Sequence, residues 1–347
     1  MTTAPELVFV HIGESVPTYV RSALSLADRD ARLPLRMLCS SATAPHFTGL
    51  YATTAIDDFY DPTPFLDARR NIAADHTFRD GFWLKTTERY FVLAQYMDAH
   101  RVDRLVHAEL DSLTFALDRF VSNLDRSGER GIFLPFDHPA RSIASLVYVN
   151  DPAALHELVR FITTTTPVRN DMDLLARFAQ HSPRSVRRLP TLESLTRPAA
   201  FEELACRAIT PSQLGGIVDA ASIGQWIGGI DPRNRGFGPH WNHFENDVTT
   251  RNALASLDIV LDASGPTARI GDLEGVRLYN LHLHSKMHKH LTRRSQLRRL
   301  VRWSRRRRRS ILRWDVRRNA KMAIQATKRQ IRRTQRVRAA FPRMEGD

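Results

Sequence analysis

The sequence has few cysteines and no long hydrophobic run. Only two cysteines occur in 347 residues. Cys39 and Cys206 are far apart and form no CxxC pair, so neither a disulfide framework nor a thiolate metal site is predicted. The opening stretch MTTAPELVFVHIG has no basic segment before its apolar residues, which are too few for a signal peptide or a membrane span. We therefore expect a cytoplasmic protein.

Several catalytic motifs are also absent. The sequence contains no Walker phosphate loop, no GxGxxG at the position that a dinucleotide-binding fold requires, no GxSxG elbow and no HExxH zinc helix. If the protein is an enzyme, we therefore expect metal and diphosphate chemistry, and not a serine nucleophile or a zinc peptidase helix.

Positive charge is concentrated at the end of the chain. Residues 291–347 contain 21 Lys or Arg and 3 acidic residues, whereas the first 290 residues contain 30 basic and 34 acidic residues. The formal net charge of +14 therefore belongs to the tail. We predict a globular domain over residues 1–290 and an Arg-rich tail, partly helical or disordered, over residues 291–347.

The hydrophobic pattern of the first half predicts an α/β fold. Leu7–Ile12 has the composition of a buried strand, a helical pattern covers Tyr19–Ala27, and Leu35–Leu38 is a second apolar strand. This order is typical of a mostly parallel sheet with helices on both faces. The sequence predicts further elements, which are a helix over Phe82–His100 capped by Thr86 or Thr87, strands over Gly131–Phe136, Ile143–Val149 and Val276–His284, and helices over Pro152–Phe161 and Met172–Gln180. Residues 181–215 are predicted to be irregular, and 224–238 a Gly-rich loop.

Two acids follow an apolar strand in the motif His107-Ala-Glu109-Leu-Asp111. Side chains at i and i+2 of a strand point to the same face, so Glu109 and Asp111 present their carboxylates together. Hard oxygen ligands of this kind suit Mg²⁺ or Mn²⁺, and such an ion neutralises a diphosphate leaving group. An acid-x-acid triplet is more often a solvated strand end, but the preceding apolar strand favours a metal site. Glu245 and Asp247 repeat the spacing in a loop-like segment and rank below this pair.

A second motif, Tyr279-Asn-Leu-His-Leu-His284-Ser-Lys286, alternates strictly between apolar and polar residues. Asn280, His282 and His284 share one face of the predicted strand. An imidazole can complete a Mn²⁺ site, and Lys286 can hold a phosphate as a point charge. The alternative is a surface strand with partly exposed histidines.

Three further segments carry polar groups that suit a ligand. Arg89 lies near the start of the Phe82–His100 helix, where a cation and a helix N-terminus can face an anion. Asp171 either caps the next helix or serves a ligand. The Gly-rich segment Asp219–Asp231 either brings backbone close to a ligand or forms turns.

Four short motifs of this chain resemble, in their order, the motifs of a bacterial group of GT-A glycosyltransferases. They are FW-x-x-T-x-E-R, H-x-E-x-D, NDM-x-LL and LH-x-HSK. The chain is also similar, more distantly, to the glycogenin-like retaining galactosyl- and glucosyltransferases. The resemblance covers roughly residues 7–290 and is carried by the order of the motifs. It implies a GT-A-like nucleotide-diphospho-sugar transferase fold. The chain departs from the commoner D-x-D by using Glu109 in the first position.

The resemblance assigns a metal and phosphate site. It implies that Glu109 and Asp111 bind Mn²⁺ or Mg²⁺ together with the donor diphosphate, and that His284 is a further metal ligand. It places Lys286 on the phosphates and Arg89 near the nucleotide-sugar.

The same resemblance assigns the rest of the donor site. His11 and Gly13 lie near the base or ribose, and Asp171 faces the sugar or the acceptor and is the candidate base if the enzyme inverts. Asn170 and Gln225 belong to the donor-binding set. The implied reaction transfers a sugar from a nucleoside diphosphate to a hydroxyl of a glycan or lipid-linked acceptor, in cell-surface glycan synthesis.

Two other functions fit parts of the sequence. A sugar nucleotidyltransferase shares such a sheet and metal but releases pyrophosphate. A nucleic-acid-binding protein fits the charge of the tail, although no fold for base readout is evident. We favour contact of the tail with an anionic membrane surface, because Trp303 and Trp314 interrupt the arginines as in basic amphipathic helices. The protein is then peripheral at the inner face of the membrane.

Overall fold

The structure is a computed structural model that describes residues 4–73, 80–228, 250, 253–254, 256–262, 265–270, 273–284 and 286. The predicted tail over 291–347 and its boundary with the preceding domain lie outside these residues, as do Glu245, Asp247 and the part of the Gly-rich segment after Gly228.

The strands are β1 (Glu6–His11), β2 (Leu35–Cys39), β3 (Ala52–Ala55), β4 (Leu105–Ala108), β5 (Ser112–Thr114), β6 (Ile132–His138), β7 (Arg141–Ser142), β8 (Leu146–Val149), β9 (Val186–Leu189), β10 (Arg207–Ala208), β11 (Asp258–Asp262), β12 (Gly265–Ile270), β13 (Leu273–Arg277) and β14 (Asn280–His282). The helices are α1 (Thr18–Asp30), α2 (Thr63–Ala68), α3 (Phe82–His100), α4 (Leu117–Arg126), α5 (Pro152–Thr164), α6 (Asp171–His181), α7 (Leu192–Thr196), α8 (Pro198–Phe201), α9 (Pro211–Leu214) and α10 (Ser222–Gly228). Short 3₁₀ turns cover Ala44–His46, Ile56–Asp58 and Arg69–Asn71.

The main sheet has the strand order β10-β9-β6-β8-β4-β1-β2-β3, with β7 paired to β6. Strands β3, β2, β1 and β4 run parallel to one another, and so do β6, β9 and β10. Among the described strands of this sheet, β8 runs antiparallel to β4 and β6, and β7 runs antiparallel to β6. The prediction of a mostly parallel α/β sheet is therefore confirmed.

Alternate residues of the central strands pack into two separate cores, one on each face of the sheet. Leu7 and Phe9 of β1 join α1 and α4 in one core, whereas Val8 joins α3, α5 and α6 in the other. Successive side chains of a strand point to opposite faces, so a strand between two helical layers is apolar throughout. This explains why LVFV has no polar alternation.

A short antiparallel pair joins distant parts of the chain beside the main sheet. Strand β14 pairs with β5, with His282 opposite Ser112 and Leu281 opposite Leu113. The Leu283 N–H also donates to the Asp111 carbonyl oxygen at 2.8 Å. This ladder brings the histidine motif next to the acid motif, although about half of the chain separates them in sequence.

Some sequence predictions were wrong in detail. Helix α3 begins after Gly81, which has a φ of 77°, and the Thr86 and Thr87 hydroxyls donate back to the Trp83 carbonyl oxygen inside the helix. Thr86 and Thr87 are therefore not its caps, because each bonds within its own helix.

The predicted irregular region is more regular than expected. Residues 181–215 contain β9, β10 and three helices of four or five residues. The segment that opens the predicted Gly-rich loop forms α10, and the predicted strand over Val276–His284 is divided between β13 and β14. Within the described ranges, no helix is both long and apolar enough to cross a lipid bilayer.

Candidate active site

The carboxyl end of β4 carries a cluster of possible metal ligands. Ligand atoms of Glu109, Asp111 and His282 all lie within 4.8 Å of one another. His282 Nε2 lies 3.1 Å from Glu109 Oε2 and 3.2 Å from Asp111 Oδ1. Two carboxylates and one imidazole form a donor set that suits Mn²⁺ or Mg²⁺.

Two further cations contact the carboxylates. Arg89 Nη1 donates to Glu109 Oε1 at 2.8 Å, and the Lys286 ammonium contacts the Asp111 carboxylate. Lys286 has a φ of 56°, in the left-handed region that non-glycine residues rarely adopt, and this backbone turn follows the His282 strand.

The charges shift the titration of the whole cluster. Burial alone would raise the pKa values of Glu109 and Asp111, but Arg89 lowers that of Glu109, while Lys286 and His282 lower that of Asp111. Both carboxyl groups are therefore ionised at neutral pH. Burial would lower the pKa of His282, but the two carboxylates hold it well above its ordinary value. Two ionised acids in a buried site provide the negative charge that a divalent cation requires.

The orientation of the His282 ring fits a metal ligand. Its Nδ1 lies 2.7 Å from the Ala220 carbonyl oxygen, to which it donates, so Nε2 is the nitrogen that faces both carboxylates. Metal-bound histidines usually have this arrangement, in which the second ring nitrogen donates to a carbonyl or carboxylate. The residues at this site therefore fit a divalent cation, which would bind His282 Nε2 in place of the proton that this nitrogen carries in the metal-free site.

His284, the ligand predicted from the resemblance, lies beside this cluster and outside the set of three. Its ring centroid is 4.2 Å from that of His282, and Gln225 Nε2 lies 3.3 Å from its Nδ1. Burial lowers the pKa of His284 to about 3, so the ring is neutral. The alternation of the strand, which puts His282 on the same face, was the signal that could have identified His282. The role of His284 stays a prediction.

Asp171 lies behind the cluster and contacts the same arginine. Arg89 Nη2 donates to Asp171 Oδ2 at 2.6 Å, and both side chains are buried. Burial raises the pKa of Asp171, and the charge of Arg89 opposes that rise. Of the two roles that the sequence left open for Asp171, capping of the next helix is wrong, because Asn170 is the cap and its side chain accepts from the Asp173 N–H at 3.0 Å. Asn170 therefore uses its amide oxygen within the fold.

The predicted nucleotide residues lie at the same edge of the sheet. His11 ends β1, which is parallel to β4, and its Nε2 lies 3.1 Å from the Ser15 carbonyl oxygen. Burial lowers the pKa of His11. Gly13 follows in the loop, where an added Cβ would lie 3.6 Å from the His11 ring. Ligands of open α/β sheets bind at the carboxyl ends of parallel strands, so the position of both residues fits their predicted role.

A buried carboxyl group near the start of α10 gives a pH-dependent prediction. The Ser222 hydroxyl donates to Glu193, and burial, together with the charge of Asp137, raises the pKa of Glu193 to about 8 from an ordinary 4.5. The proton on Glu193 therefore stabilises the fold below the unfolded pKa, and this contribution is lost as the pH rises through the folded pKa.

We expect Glu193→Gln to gain stability relative to the wild type between about pH 5.5 and about pH 8.5, because glutamine cannot ionise. The difference in melting temperature should move in favour of the variant by ~5 °C over this range. Differential scanning calorimetry of both proteins measures it. Parallel curves at all pH values would show that Glu193 does not titrate in this range.

Comparisons with known proteins found solved structures whose backbones are partly similar to that of this chain. The sequence matches no protein-family profile and no curated protein. The mouse xyloside xylosyltransferase 1 apo structure superposes with a TM-score of 0.39 at 11% identity, covering 59% of this chain and 94% of that one. The structure of an active-site mutant of LgtC gives 0.34 at 11% identity, covering 59% and 84%. Apo glycosyltransferase GlyE of Streptococcus pneumoniae TIGR4 gives 0.36 at 13% identity, covering 58% and 50%. Because these superpositions are only partial, the functional interpretation depends on the side chains of the site.

Proposed function

We propose that this protein is a metal-dependent glycosyltransferase that moves a sugar from a nucleoside-diphosphate sugar to an acceptor hydroxyl. The observation that carries the proposal is the cluster of Glu109, Asp111 and His282 at the carboxyl end of a parallel sheet, with Arg89 and Lys286 beside it. A divalent ion held there supplies positive charge to a diphosphate leaving group.

The protein's own cations extend that electrostatic role. Lys286 is a point charge next to Asp111, and we expect its ammonium to contact a phosphate oxygen of the bound donor. Arg89 contacts Glu109 and Asp171 together, so it fixes the first carboxylate of the motif while the second stays next to Lys286. Fixed charges of this kind favour the transition state in which the bond from the sugar to the diphosphate breaks.

The acceptor step requires a place for one proton. The acceptor oxygen forms the new bond to the sugar carbon and releases its hydrogen, either to a base or to the departing diphosphate. Asp171 is our candidate base if the reaction inverts, although in this structure its carboxylate is paired with Arg89.

The direct test is product analysis with the full chain. Nucleoside-diphosphate sugars are incubated with Mn²⁺ and a set of hydroxyl acceptors, and the released nucleotide is separated by chromatography. Release of a nucleoside diphosphate supports the proposed transfer. Release of pyrophosphate from sugar phosphate and nucleoside triphosphate would identify a nucleotidyltransferase instead, and would contradict the proposal.

The Arg-rich tail supports a second proposal, that the enzyme works at an anionic membrane surface during cell-surface glycan synthesis. We expect the full chain to bind phosphatidylglycerol vesicles, and to bind neutral vesicles much less. Replacing all five residues of Arg305–Arg309 by glutamine should weaken this binding by about a hundredfold or more, since each basic residue near such a surface contributes about 1 kcal/mol.

Vesicle sedimentation at low and high salt measures this binding, which added salt should weaken. Equal binding of the wild type to neutral and anionic vesicles would contradict the proposal. Binding to single-stranded RNA alone would point to a nucleic-acid partner for the tail.

A further inference from the structure

One buried carboxylate near the site takes no part in the proposed chemistry. Asp219 lies in the turn before α10 and is 1% exposed. Its Oδ1 accepts the Ile223 N–H at 3.0 Å, and its Oδ2 accepts the N–H groups of Gly224 at 2.7 Å and His282 at 2.9 Å. Two of these donors belong to the first turn of a helix, where backbone N–H groups have no partner within the helix. The third belongs to the candidate metal-binding strand.

The backbone next to Asp219 also contacts His282. The carbonyl oxygen of Ala220 accepts from His282 Nδ1 at 2.7 Å. The turn therefore holds His282 at two points, the main-chain N–H and the ring. The first bond fixes where the strand lies, and the second fixes which ring nitrogen faces the carboxylates.

The turn itself is held by side chains of other elements. Asn280 Oδ1 accepts the Asp219 N–H at 2.8 Å, and Asn280 Nδ2 donates to the Asp219 carbonyl oxygen at 3.0 Å. The Ser145 hydroxyl donates to the same carbonyl oxygen at 2.8 Å. Each polar group in this buried network has a partner, and such networks rigidify the structure around them.

Helix and strand also approach closely without any side chain between them. A Cβ added at Gly224 would lie 2.0 Å from the His282 carbonyl oxygen, which is far closer than real Cβ contacts. Only glycine allows this approach. The same helix carries Gln225, whose amide lies next to His284. Helix α10 therefore contacts both β14 and His284, which follows this strand.

We propose that Asp219 is a positioning residue, which joins α10 to β14 and holds His282 Nε2 in the geometry that a divalent cation requires. This inference rests on the metal site of the proposed function. Asp219 and Gly224 belong to the Gly-rich segment Asp219–Asp231, for which the sequence left ligand binding and simple turns as alternatives.

Mn²⁺ alone is the probe, titrated by calorimetry into the full chain. Asp219→Asn replaces one acceptor oxygen by an NH₂ group that cannot accept a backbone N–H, so we expect Mn²⁺ affinity to fall by about tenfold to a hundredfold. The matched control is Asn150→Asp, a carboxamide–carboxylate exchange at another backbone clamp. Asn150 accepts from the Gly131 N–H and donates to the Glu129 carbonyl oxygen at the opposite edge of the sheet. This control should keep the Mn²⁺ affinity of the wild type, whatever stability it loses.

Hydrogen exchange of the wild-type protein is a second test of this role of Asp219, and it requires no variant. Mn²⁺ should slow exchange in the peptides that contain Ile223 and Gly224 as well as in those that contain His282, because one carboxylate binds all three N–H groups. Protection of the His282 peptide alone, or equal Mn²⁺ affinity of wild type and folded Asp219→Asn, would overturn the inference and leave the metal site intact. A wild type that binds no Mn²⁺ would instead show that the metal site of the proposed function is wrong.

Discussion

Asp111→Ala is expected to lower kcat/KM for the donor by about a thousandfold. The change removes one of the two carboxylates of the candidate metal-binding cluster and the partner of both Lys286 and His282. The two cations then lie close together with only Glu109 to balance them, so the site repels a divalent ion. Initial rates of nucleoside diphosphate release, over a range of donor and Mn²⁺ concentrations, measure the effect.

Asp98→Ala is the matched control for this substitution. The Asp98 carboxylate also contacts a histidine, with His156 Nε2 3.0 Å from Asp98 Oδ1, but it is exposed near the end of α3. Its removal should leave the rate within about twofold of the wild type, since contacts between exposed polar groups contribute little. If Asp111→Ala remained folded and kept its turnover, the metal would have to bind elsewhere, and the role given to this cluster would be wrong.

Arg89→Ala is expected to cost about 3–5 kcal/mol of stability, the usual cost of leaving buried charges without their partner. Its guanidinium donates to Glu109 and Asp171 on opposite sides, and its side chain is almost fully buried. Without it, the buried Asp171 carboxylate and the half-buried Glu109 carboxylate lose the cation that they share. Urea denaturation followed by tryptophan fluorescence gives the change in the free energy of unfolding.

Arg177→Ala separates this effect from the loss of any arginine. Arg177 pairs with Asp173 on the surface of α6 at 3.2 Å, and its side chain is 39% exposed. We expect its replacement to cost at most about 1 kcal/mol. Equal costs for the two arginines would mean that the Arg89 network is not a buried charge network at all.

Much of the fold was visible in the sequence because its elements have strong periodicity. The helix Phe82–His100 has the predicted bounds, and the first strand differs from its prediction by one residue at each end. In the helix, Tyr90, Leu93, Ala94 and Met97 recur at helical spacing, and the strand is apolar throughout because it lies between two helical layers. The mostly parallel sheet followed from the order of these elements.

The short elements were not predictable in the same way. Helix α10 has only seven residues and includes Gly224 and Gly228, which lower its intrinsic helix propensity. Its stability comes from tertiary contacts, namely the Asp219 carboxylate on its first turn and the close approach to β14. A glycine pattern alone predicts a loop, because the partners of these glycines are distant in sequence.

Some features of the candidate site could be predicted from the sequence, and others could not. The spacing of Glu109 and Asp111 indicated a metal site, and the resemblance placed Arg89 and Lys286 near it; the structure brings all four together. Alternation also put His282 and His284 on one face. Which of them faces the carboxylates depends on the pairing of β14 with β5 and on the Ala220 carbonyl oxygen, neither of which leaves a trace in local sequence.

We expect the cluster to bind a divalent cation together with a nucleoside diphosphate. Calorimetric titration of the full chain with UDP, GDP and other nucleoside diphosphates, with Mn²⁺ or with excess chelator, measures this binding. At least one nucleotide should bind in the presence of Mn²⁺, and chelator or Asp111→Ala should abolish its binding. A folded wild type that binds none of the nucleotides, or binds them equally in chelator, would contradict this expectation.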